Sequence, residues 1–465
     1  MIGPRDLADL LRERLLDQDL QNERGALSAE PFHNIVVDSR RVEPGDLFVA
    51  LPGQQTDGHL FIDDAIQRGA RGLLCRTVPD TVPDEVTPFV VAAPLESLQA
   101  AAACWRSRQE TRIVGITGSV GKTTTREAIT QVLRRRFATL ESPRNFNGDI
   151  GLPIALLGLA PEHEWGVMEM GPYDRAEMEL LTRVGRPDVG IVTNVGPTHL
   201  ERFGSIEATE EIKGLLPACL PGDGLAVLNA DDERVARMAD RTSARIVTFG
   251  LGEGAHVRAT AIESRGLDGI TFTLHAEGET TVVQTPAVGA HQAMTALAAT
   301  ALGLFCGVPL VEIVAALGEL ESGSRLRPRR SMSGALILDD AYNAAPLSVK
   351  AALDVLSELS GNKIAVLGDM LELGDEEEAG HREVGAYCMG RCDRLIAIGA
   401  RARGIADGAW DAGHQQIQWF EQRDDASRAL RREIGADDVV LVKASYAMHL
   451  EEMVEALVSG EERSR

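Results

Sequence analysis

A glycine-containing segment, GSVGKTT at residues 118–124, has residue types that can bind phosphate. It lies directly after the strand-like run RIVGIT and before the helix-like run REAITQVL. Glycine lets backbone N–H groups surround phosphate oxygens, and a helix N-terminus adds partial positive charge. A lysine in such a loop reaches the terminal phosphates, and the next hydroxyl binds Mg²⁺. A glycine turn that binds nothing is the alternative. We predict nucleotide phosphate binding by Gly118, Ser119, Val120, Gly121, Lys122, Thr123 and Thr124.

Two further side chains could complete a metal site near these phosphates. Glu169 ends the strand-like run WGVME, and His199 lies in a Gly/Pro loop after VGIVTNVG. A carboxylate and an imidazole beside Thr123 could position Mg²⁺ while phosphate oxygens complete its shell. The alternative for each is an ordinary hydrogen-bonded or solvated residue. By its local pattern EEIKGLL, Lys213 is a solvated helix lysine.

The length and charge of the chain limit the class of protein. With 465 residues it is too long for one ordinary core, and about three domains are expected. Its net charge of -23 argues against a broad nucleic-acid surface, so phosphate must be held by a local cluster of donors. Six cysteines indicate reduced thiols and no disulfide framework. Cys388 and Cys392 have no second Cys/His pair to complete a metal site.

The apolar segments predict neither a signal peptide nor a membrane span. The first twenty residues read as a charged amphipathic helix. The most apolar stretch, residues 296–320, contains Gly303, Gly307, Pro309 and Glu312, so two short buried helices are predicted there. We therefore expect a cytoplasmic protein without membrane insertion.

The order of strand-like and helix-like segments predicts an α/β protein of three domains. Residues 1–98 form a small mixed α/β domain. Residues 99–322 form a central parallel-sheet domain with the phosphate loop, an antiparallel segment near 257–288 and the two Ala-rich helices. The Gly, Ser, Arg and Pro composition of SGSRLRPRRSMSG, residues 322–334, predicts a hinge. Residues 323–465 form a Rossmann-like α/β domain, with the strands ALILDDAY, KIAVLGDM, RLIAIG and VVLVKAS.

Several motifs resemble those of one family. The loop TGSVGKTTT has Ile116 where the general phosphate-loop pattern has glycine, and this shorter form is similar to the Mur ligase and folylpolyglutamate synthase superfamily. DSRRVEPGDLFVALPGQQTDGH resembles the uridine-nucleotide-binding domain of Mur ligases, which folylpolyglutamate synthase lacks. NFNGDIGLP, EMG, TNVGPTHLE and GSIE resemble the central ATPase domain. LDDAYNAAP and GDMLELG are similar to the C-terminal domain of the members that add D-alanyl-D-alanine. In this order, the motifs resemble the Mur ligase family over nearly the whole chain.

This resemblance implies ATP and Mg²⁺ as cofactors. It assigns Thr123 and Glu169 to one Mg²⁺ and His199 to a second. Lys213 falls on the family lysine that reacts with CO₂, and the resulting carbamate is an oxygen ligand of the second Mg²⁺. Leu215 departs from the pattern, because the family usually has Glu there. The implied catalytic residues are Lys122, Lys213, His199 and Glu169.

The resemblance also implies nucleotide and substrate contacts. Arg325 matches a phosphate-contacting residue and Asp340 a ribose-contacting one. Gln292 and Thr295 face the nucleotide, but they replace two asparagines of the family. Tyr446 replaces an arginine, which removes a rigid bidentate anion donor. Implied substrate contacts are Ser39, Arg40, Asp57, His59, Asn145, Asn147, Asn343 and Lys443.

The activity implied by the resemblance is ATP-dependent amide-bond formation in peptidoglycan precursor synthesis. ATP would phosphorylate the terminal carboxylate of UDP-N-acetylmuramoyl-tripeptide, and the amine of D-alanyl-D-alanine would attack the acyl phosphate. Two Mg²⁺ ions and Lys122 would neutralise the transferring phosphoryl group. One alternative is a paralogue that joins another amino acid or dipeptide to a related carboxylate. The other is a non-catalytic nucleotide-binding scaffold. A monomer is expected.

Overall fold

The computed structural model describes residues 1–16, 27–53, 56–198, 200–320 and 326–459. It confirms the α/β prediction, with parallel-rich sheets of four, nine and six strands. The chain divides into two compact units. The first contains Met1–Ile116, Arg136–Gly190 and Cys219–Gly224, and the second contains Thr117–Arg135, Ile191–Ala218 and Leu225–Arg465. The domain boundaries at residues 98 and 322 stay a prediction.

Four short parallel strands form the first sheet, which belongs to the first unit. In sheet order they are β1 (Ile35–Val36), β2 (Leu47–Val49), β3 (Gly72–Cys75) and β4 (Thr87–Val90). The helices of this region are α1 (Pro4–Leu10), α2 (Ile62–Gln67) and α3 (Pro94–Ser107). Phe48 and Leu73 of the sheet share one hydrophobic core with Ile62 and Ala65 of α2. The helix predicted for the first twenty residues is confirmed only over Pro4–Leu10, and residues 17–20 lie outside the described residues.

The first unit also contains three strands of the second sheet. They are β5 (Arg112–Thr117, whose last residue belongs to the second unit), β6 (Thr139–Glu141) and β7 (Trp165–Glu169). β5 and β6 both pair in parallel with β7, and Ile116 lies opposite Glu169. β5 and β7 are almost wholly buried, as expected of parallel strands covered on both faces. Helices α5 (Gly151–Leu157) and α6 (Arg175–Gly185) complete this part.

The second unit begins with helix α4 (Lys122–Leu133), directly after the phosphate loop. Strand β8 (Val189–Val192) leads into short helices at α7 (Leu200–Phe203), α8 (Ile206–Lys213) and α9 (Leu215–Ala218). Further elements follow in the order β9 (Leu225–Asn229), α10 (Glu233–Ala236), β10 (Arg245–Gly250), β11 (Val257–Ser264), β12 (Ile270–Ala276), β13 (Glu279–Thr285), α11 (Gln292–Phe305) and α12 (Leu310–Gly318). The strand order of the second sheet is β13-β12-β11-β10-β9-β8-β5-β7-β6. β11, β12 and β13 are antiparallel, which confirms the prediction for residues 257–288.

The third sheet has the Rossmann-like arrangement predicted for the C-terminal region. Its strands are β14 (Arg327–Arg330), β15 (Leu336–Asp340), β16 (Asn362–Gly368), β17 (Arg394–Ile398), β18 (Ile417–Phe420) and β19 (Asp438–Lys443), in the order β14-β15-β19-β16-β17-β18. All pairs are parallel except the edge pair β14–β15. The helices are α13 (Pro346–Glu358), α14 (Glu377–Tyr387), α15 (Arg403–Asp411), α16 (Arg423–Glu433) and α17 (Leu450–Ser459). Separate hydrophobic cores contain Leu353 and Ile405 in one case and Leu430 and Val454 in the other.

The hinge predicted at residues 322–334 is partly wrong. Residues 327–330 form strand β14, because an antiparallel edge strand tolerates Pro328 and exposed arginines. Residues 322–325 lie outside the described residues. The two helices predicted in residues 296–320 are confirmed as α11 and α12. Among the described helices, none is long and apolar enough to cross a membrane.

Two helices of the C-terminal region approach each other through glycines, and this contact gives a stability prediction. A Cβ atom on Gly385 would lie 2.0 Å from the carbonyl oxygen of Ile405. Gly385→Ala should lower the midpoint of thermal unfolding, because an overpacking cost of about 1–3 kcal/mol exceeds the ~1 kcal/mol gain in helix propensity. The matched control is Gly435→Ala, where a Cβ meets no atom within 4 Å. Equal midpoints for the two variants would contradict the close approach.

Candidate active site

The phosphate loop requires glycine at two positions. Gly118 has φ 150°, and a Cβ there would lie 1.9 Å from the hydroxyl oxygen of Thr193. Gly121 has φ 87° and directly precedes helix α4, whose first turn has no side-chain cap. The first backbone N–H groups of a helix have no partner within the helix. The loop therefore presents these donors, with the helix dipole behind them, at the point where the sequence predicts phosphate.

Reciprocal hydrogen bonds fasten the phosphate loop to the loop after β8. The amide oxygen of Asn194 accepts from the Val120 N–H at 2.9 Å, and its amide nitrogen donates to the Val120 oxygen at 2.9 Å. The Ser119 hydroxyl donates to the Gly196 oxygen at 3.0 Å and accepts from the Gly196 N–H at 2.9 Å. The Thr193 hydroxyl donates to the Val120 oxygen at 2.7 Å. We call these contacts the P-loop clasp.

The clasp changes the roles of two predicted phosphate ligands. The N–H groups of Ser119 and Val120 both donate to Asn194, at 3.0 and 2.9 Å. These two residues therefore shape the loop, and the remaining donors for phosphate are the N–H groups that begin α4. Lys122 donates to the Gly118 oxygen at 2.6 Å, so its ammonium is held over the loop. The Thr124 hydroxyl donates to the Gly121 oxygen at 3.2 Å.

Two further polar residues bond to the loop after β8. Asp232 accepts from the Val195 N–H at 2.7 Å and caps α10 through its other oxygen. The amide of Asn229 donates to the Thr193 oxygen at 2.8 Å. The sequence analysis missed Asn194, Asn229 and Asp232. Their signal was available, since each is a polar residue at the end of a buried parallel strand or within three residues of it, where such sheets deliver functional groups.

Lys213 is a buried lysine, contrary to the solvated position that its local pattern predicts. It ends α8 and is 2% exposed, because the apolar face of this short helix turns it inward. Its ammonium nitrogen lies 5.7 Å from the ring centroid of Phe203. Desolvation by burial, and then the positive charge of Lys122, hold the pKa of Lys213 well below its usual value. Both effects favour the neutral amine over the ammonium.

A buried carboxylate one turn earlier anchors the helix of Lys213. The side chain of Glu210 is 9% exposed and accepts two hydrogen bonds from Arg237, at 3.2 and 2.7 Å. Arg234 and Arg241 lie within 3.8 Å of the same carboxylate. Glu210 is thus neutralised by arginines, and α8 is fixed against the residues that follow β9.

Glu169 and the two predicted asparagines belong to the first unit. Glu169 is the last residue of β7, is 2% exposed, and donates its N–H to the Ser142 hydroxyl at 3.4 Å. Asn147 accepts the Gly171 N–H through its backbone oxygen at 2.9 Å. Asn145 has φ 67°, a left-handed conformation that asparagine tolerates. The backbone of Asn147 therefore contacts the segment just after the strand end that carries the carboxylate.

Of the predicted substrate residues near the N-terminus, His59 has both ring nitrogens engaged. Its Nε2 accepts from the Arg76 N–H at 2.8 Å, so Nδ1 carries the hydrogen and donates to Asp57 at 2.6 Å. The backbone and side-chain hydrogen bonds from His59 lower the pKa of Asp57. Ser39 is buried, while the Arg40 guanidinium pairs with Asp38 at 2.8 Å. His59 therefore orders its loop, and Arg40 is the more accessible side chain.

The C-terminal region contains a buried ion pair with a free acceptor. Lys443 donates to one oxygen of Asp340 at 2.5 Å and to the backbone oxygen of Asn343 at 2.8 Å. The other buried oxygen of Asp340, Oδ1, has no hydrogen-bond partner among the described residues. Since a buried acceptor without a donor is costly, this oxygen suits a ligand hydroxyl.

The three residues that depart from the family pattern, Gln292, Thr295 and Tyr446, make local contacts. Thr295 is 9% exposed, and its hydroxyl lies 3.4 Å from that of Thr124 at the start of α4. Gln292 is also 9% exposed, and its amide lies 3.3 Å from the ring of His291. Tyr446 is 60% exposed and packs at 5.7 Å, centroid to centroid, against Tyr342. It therefore supplies an aromatic surface in place of a cation.

The donors fit Mg²⁺ that binds together with a nucleotide. Within the described residues, no three Asp, Glu, His or Cys side chains could hold a metal ion by themselves. Mg²⁺ commonly takes only one or two protein ligands and completes its shell with phosphate oxygens and water. The Thr123 hydroxyl, beside Lys122 at the start of α4, is a donor of this kind. His199 and Arg325 lie outside the described residues.

Three family models match the chain in order. They are "Mur ligase family, catalytic domain" at residues 31–103, "Mur ligase middle domain" at residues 116–303, and "Mur ligase, glutamate ligase domain" at residues 324–446. A UDP-N-acetylmuramoyl-tripeptide--D-alanyl-D-alanine ligase of Bacillus subtilis is 34% identical, covering 92% of this chain and 94% of the relative. These matches span all three sheets.

Solved structures show the same similarity. MurF from Acinetobacter baumannii is 29% identical, with a TM-score of 0.85 and 98% of both chains covered. The MurF ligase from Thermotoga maritima, solved in complex with ADP, is 27% identical, with a TM-score of 0.77 over 91% of this chain and 96% of that chain.

The P-loop clasp predicts the effect of removing Asn194. Asn194→Ala should weaken binding of ADP with Mg²⁺ about tenfold, because the Val120 N–H loses its partner at a cost of ~1–3 kcal/mol and the loop relaxes. Isothermal titration calorimetry would measure the affinity. Asn362→Ala is the control, since that amide bonds Asp438 on an exposed surface. Unchanged affinity in folded Asn194→Ala protein would mean that the clasp does not shape the phosphate site.

Proposed function

The chain belongs to the Mur ligase family of ATP-dependent ligases, and we propose that it joins D-alanyl-D-alanine to UDP-N-acetylmuramoyl-tripeptide in peptidoglycan precursor synthesis. The observation that carries this proposal is similarity along the whole chain to ligases of that name, at 34% identity over 92% of the residues. The phosphate loop, its clasp and the buried Lys213 supply the parts that such chemistry requires. A non-catalytic scaffold has no need of a buried lysine whose pKa is lowered by Lys122 and by burial.

Phosphate binding and transfer would use the start of helix α4. A carboxylate is a poor acceptor for an amine, so the substrate's terminal carboxylate first attacks the γ-phosphorus of ATP and releases ADP. The N–H groups of α4 and the Lys122 ammonium would hold the phosphates in line for this attack. One Mg²⁺ held by Thr123 and Glu169, and a second held by His199 and a carbamylated Lys213, would neutralise negative charge on the phosphoryl oxygens. The amine of D-alanyl-D-alanine then attacks the acyl carbon, and phosphate leaves.

The state of Lys213 supports its conversion to a carbamate. Only a neutral amine can attack CO₂, and burial, together with the charge of Lys122, shifts the pKa of Lys213 toward the neutral form. The nitrogen bonds to the carbon of CO₂ and loses a proton, which leaves an N-carboxylate. Lys122 disfavours an ammonium at this place, and it would favour this anion.

The remaining predicted residues would contact the nucleotide, the incoming amine or the UDP-linked substrate. The free oxygen of Asp340 would accept a ribose hydroxyl, with Lys443 holding the carboxylate in place, and Arg325 would contact phosphate. Asn343, Gln292 and Thr295 would complete the nucleotide and amine sites. Ser39, Arg40, Asp57, His59, Asn145 and Asn147 would bind the UDP-linked substrate. We further propose the domain boundaries at residues 98 and 322, a monomer, and a cytoplasmic location where ATP and uridine nucleotides are supplied.

The decisive experiment follows phosphate release from ATP and Mg²⁺ by the purified protein. UDP-N-acetylmuramoyl-tripeptide and D-alanyl-D-alanine are added separately and together. We expect release only with both, and a pentapeptide product by mass spectrometry. Release only with a different amine would identify a paralogue, for which Tyr446 in place of arginine is the reason. Binding of ATP without turnover on any acceptor would leave the scaffold alternative.

Lys213 also yields a prediction about stability and pH. Since its folded pKa is lowered, the unfolded chain binds a proton that the folded chain does not, between that pKa and the usual value of 10.5. Protonation of the unfolded chain therefore lowers the free energy of unfolding at pH 7. This loss of stability becomes smaller as the pH rises toward 10.5. In CO₂-free buffer, Lys213→Met should therefore unfold a few degrees higher than the parent protein at pH 7, where about 1 kcal/mol corresponds to ~2–4 °C. The gain should shrink at pH 10 while ligase activity is lost at both.

The control for this prediction is Lys363→Met, which removes a partly exposed lysine on β16. A Lys213→Met variant that is less stable than the parent at pH 7 would show that the lysine is charged and paired in the folded state. Carbamylation can be followed separately, as a ¹³C signal that appears with ¹³CO₂ in the parent protein and is missing from Lys213→Met.

A further inference from the structure

Glu177 joins two loops of the first unit that carry predicted site residues. It lies in the first turn of helix α6, and its half-buried carboxylate accepts two backbone hydrogen bonds. One comes from the Asp149 N–H at 2.9 Å, in the loop after β6, and the other from the Tyr173 N–H at 2.7 Å, in the loop after β7. We call these two hydrogen bonds the carboxylate brace.

The same two loops are also bonded to each other next to Glu169, the last residue of β7. The Gly171 N–H donates to the backbone oxygen of Asn147 at 2.9 Å. The Asn147 amide lies over Gly171, since a Cβ added there would be 3.0 Å from the amide nitrogen. Pro172 has no N–H, so the next bond along the chain is that of Tyr173 to the brace. These bonds fix a predicted substrate residue relative to a predicted metal ligand.

The Glu177 side chain is not needed to begin its own helix. Asp174 already caps α6, because its carboxylate accepts from the Glu177 N–H at 2.8 Å. Burial raises the pKa of Glu177, and the charges of Asp149 and Asp174 act in the same direction, while the N–H groups of Tyr173 and Asp149 lower it. The two N–H groups of the brace are therefore what favours a carboxylate at this place, and joining the loops is its structural effect.

We propose that Glu177 is a positioning residue for the ligase reaction, and that its brace sets Asn147 for the UDP-linked substrate and Glu169 for Mg²⁺. The inference rests on the proposed function. Without the brace, two backbone N–H groups lose a charged acceptor, and both loops gain freedom beside the residues that they carry. Glu177 acts through these loops and contacts neither the substrate nor the metal.

The first test measures the brace directly, without any ligand. Glu177→Gln keeps the shape of the side chain, but the amide nitrogen cannot accept an N–H. We expect hydrogen–deuterium exchange to become about tenfold faster in peptides that contain residues 147–150 and 171–174, and to stay unchanged in the four-stranded sheet. The matched control is Glu179→Gln on the same helix, where an exposed carboxylate pairs with Arg175.

The second test measures what the brace does for the site. Calorimetry with UDP-N-acetylmuramoyl-tripeptide, in the absence of ATP, should show about tenfold weaker binding by Glu177→Gln, because Asn147 is no longer held in place. In the complete reaction, the Mg²⁺ concentration that gives half the maximal rate should rise about tenfold, because the support of Glu169 is weakened. The KM for D-alanyl-D-alanine should stay within about twofold. The Glu179→Gln protein should match the parent in all three.

The outcomes separate positioning from general stability and from function. Unchanged exchange in Glu177→Gln would show that the brace does not hold the loops, and faster exchange throughout the first unit would make Glu177 a residue of general stability. Either result overturns the proposal. Faster exchange in the two loops alone, with parental substrate binding and Mg²⁺ requirement, overturns it as well. If the parent protein forms no pentapeptide, the proposed function fails, and the positioning role fails with it.

Discussion

The arrangement of this active site depends on the hydrogen bonds between the phosphate loop and the loop after β8. Both loops are irregular and largely buried, so their polar groups need partners inside the protein. Asn194 and Ser119 each donate and accept, which satisfies four backbone groups with two side chains. Gly118 permits the close approach, since any Cβ there would overlap Thr193. The clasp thereby holds the α4 donors, the Lys122 ammonium and the segment leading to α8 in one fixed relation.

The buried position of Lys213 lowers the free energy of unfolding of the protein. Burial of an amine beside Lys122 destabilises the folded state near neutral pH, and no described carboxylate compensates it. The nearest acidic residue on the same helix, Glu210, is taken by arginines. This arrangement is reasonable only if a neutral lysine has a use. Reaction with CO₂ would be such a use, because it consumes the neutral amine and would give an anion that Lys122 attracts.

Much of the fold could be predicted from the sequence, because buried parallel strands are apolar runs followed by glycine and polar residues. The phosphate loop could be predicted for the same reason, since its glycines, lysine and threonine lie between such a strand and a helix.

Burial of Lys213 could not be predicted from its neighbours in sequence, since burial depends on packing against distant segments of the chain. The clasp was missed because asparagine and serine are common in loops, and only the fold shows what they contact. Strand β14 was missed because proline and arginines dominate its sequence, and its single partner strand leaves it exposed.

The distribution of charge explains why phosphate binding depends on a few local groups. The chain carries a net charge of -23, so most of its surface repels a nucleotide triphosphate. Lys443 adds little, because Asp340 cancels its charge, and Tyr446 adds none where the family has arginine. Burial and the charge of Lys122 disfavour a positive charge on Lys213. Among these residues only Lys122 and the helix dipole of α4 attract phosphate. A single lysine and a partial charge do not balance the charge of a triphosphate, so Arg325 and bound Mg²⁺ would supply the remaining positive charge.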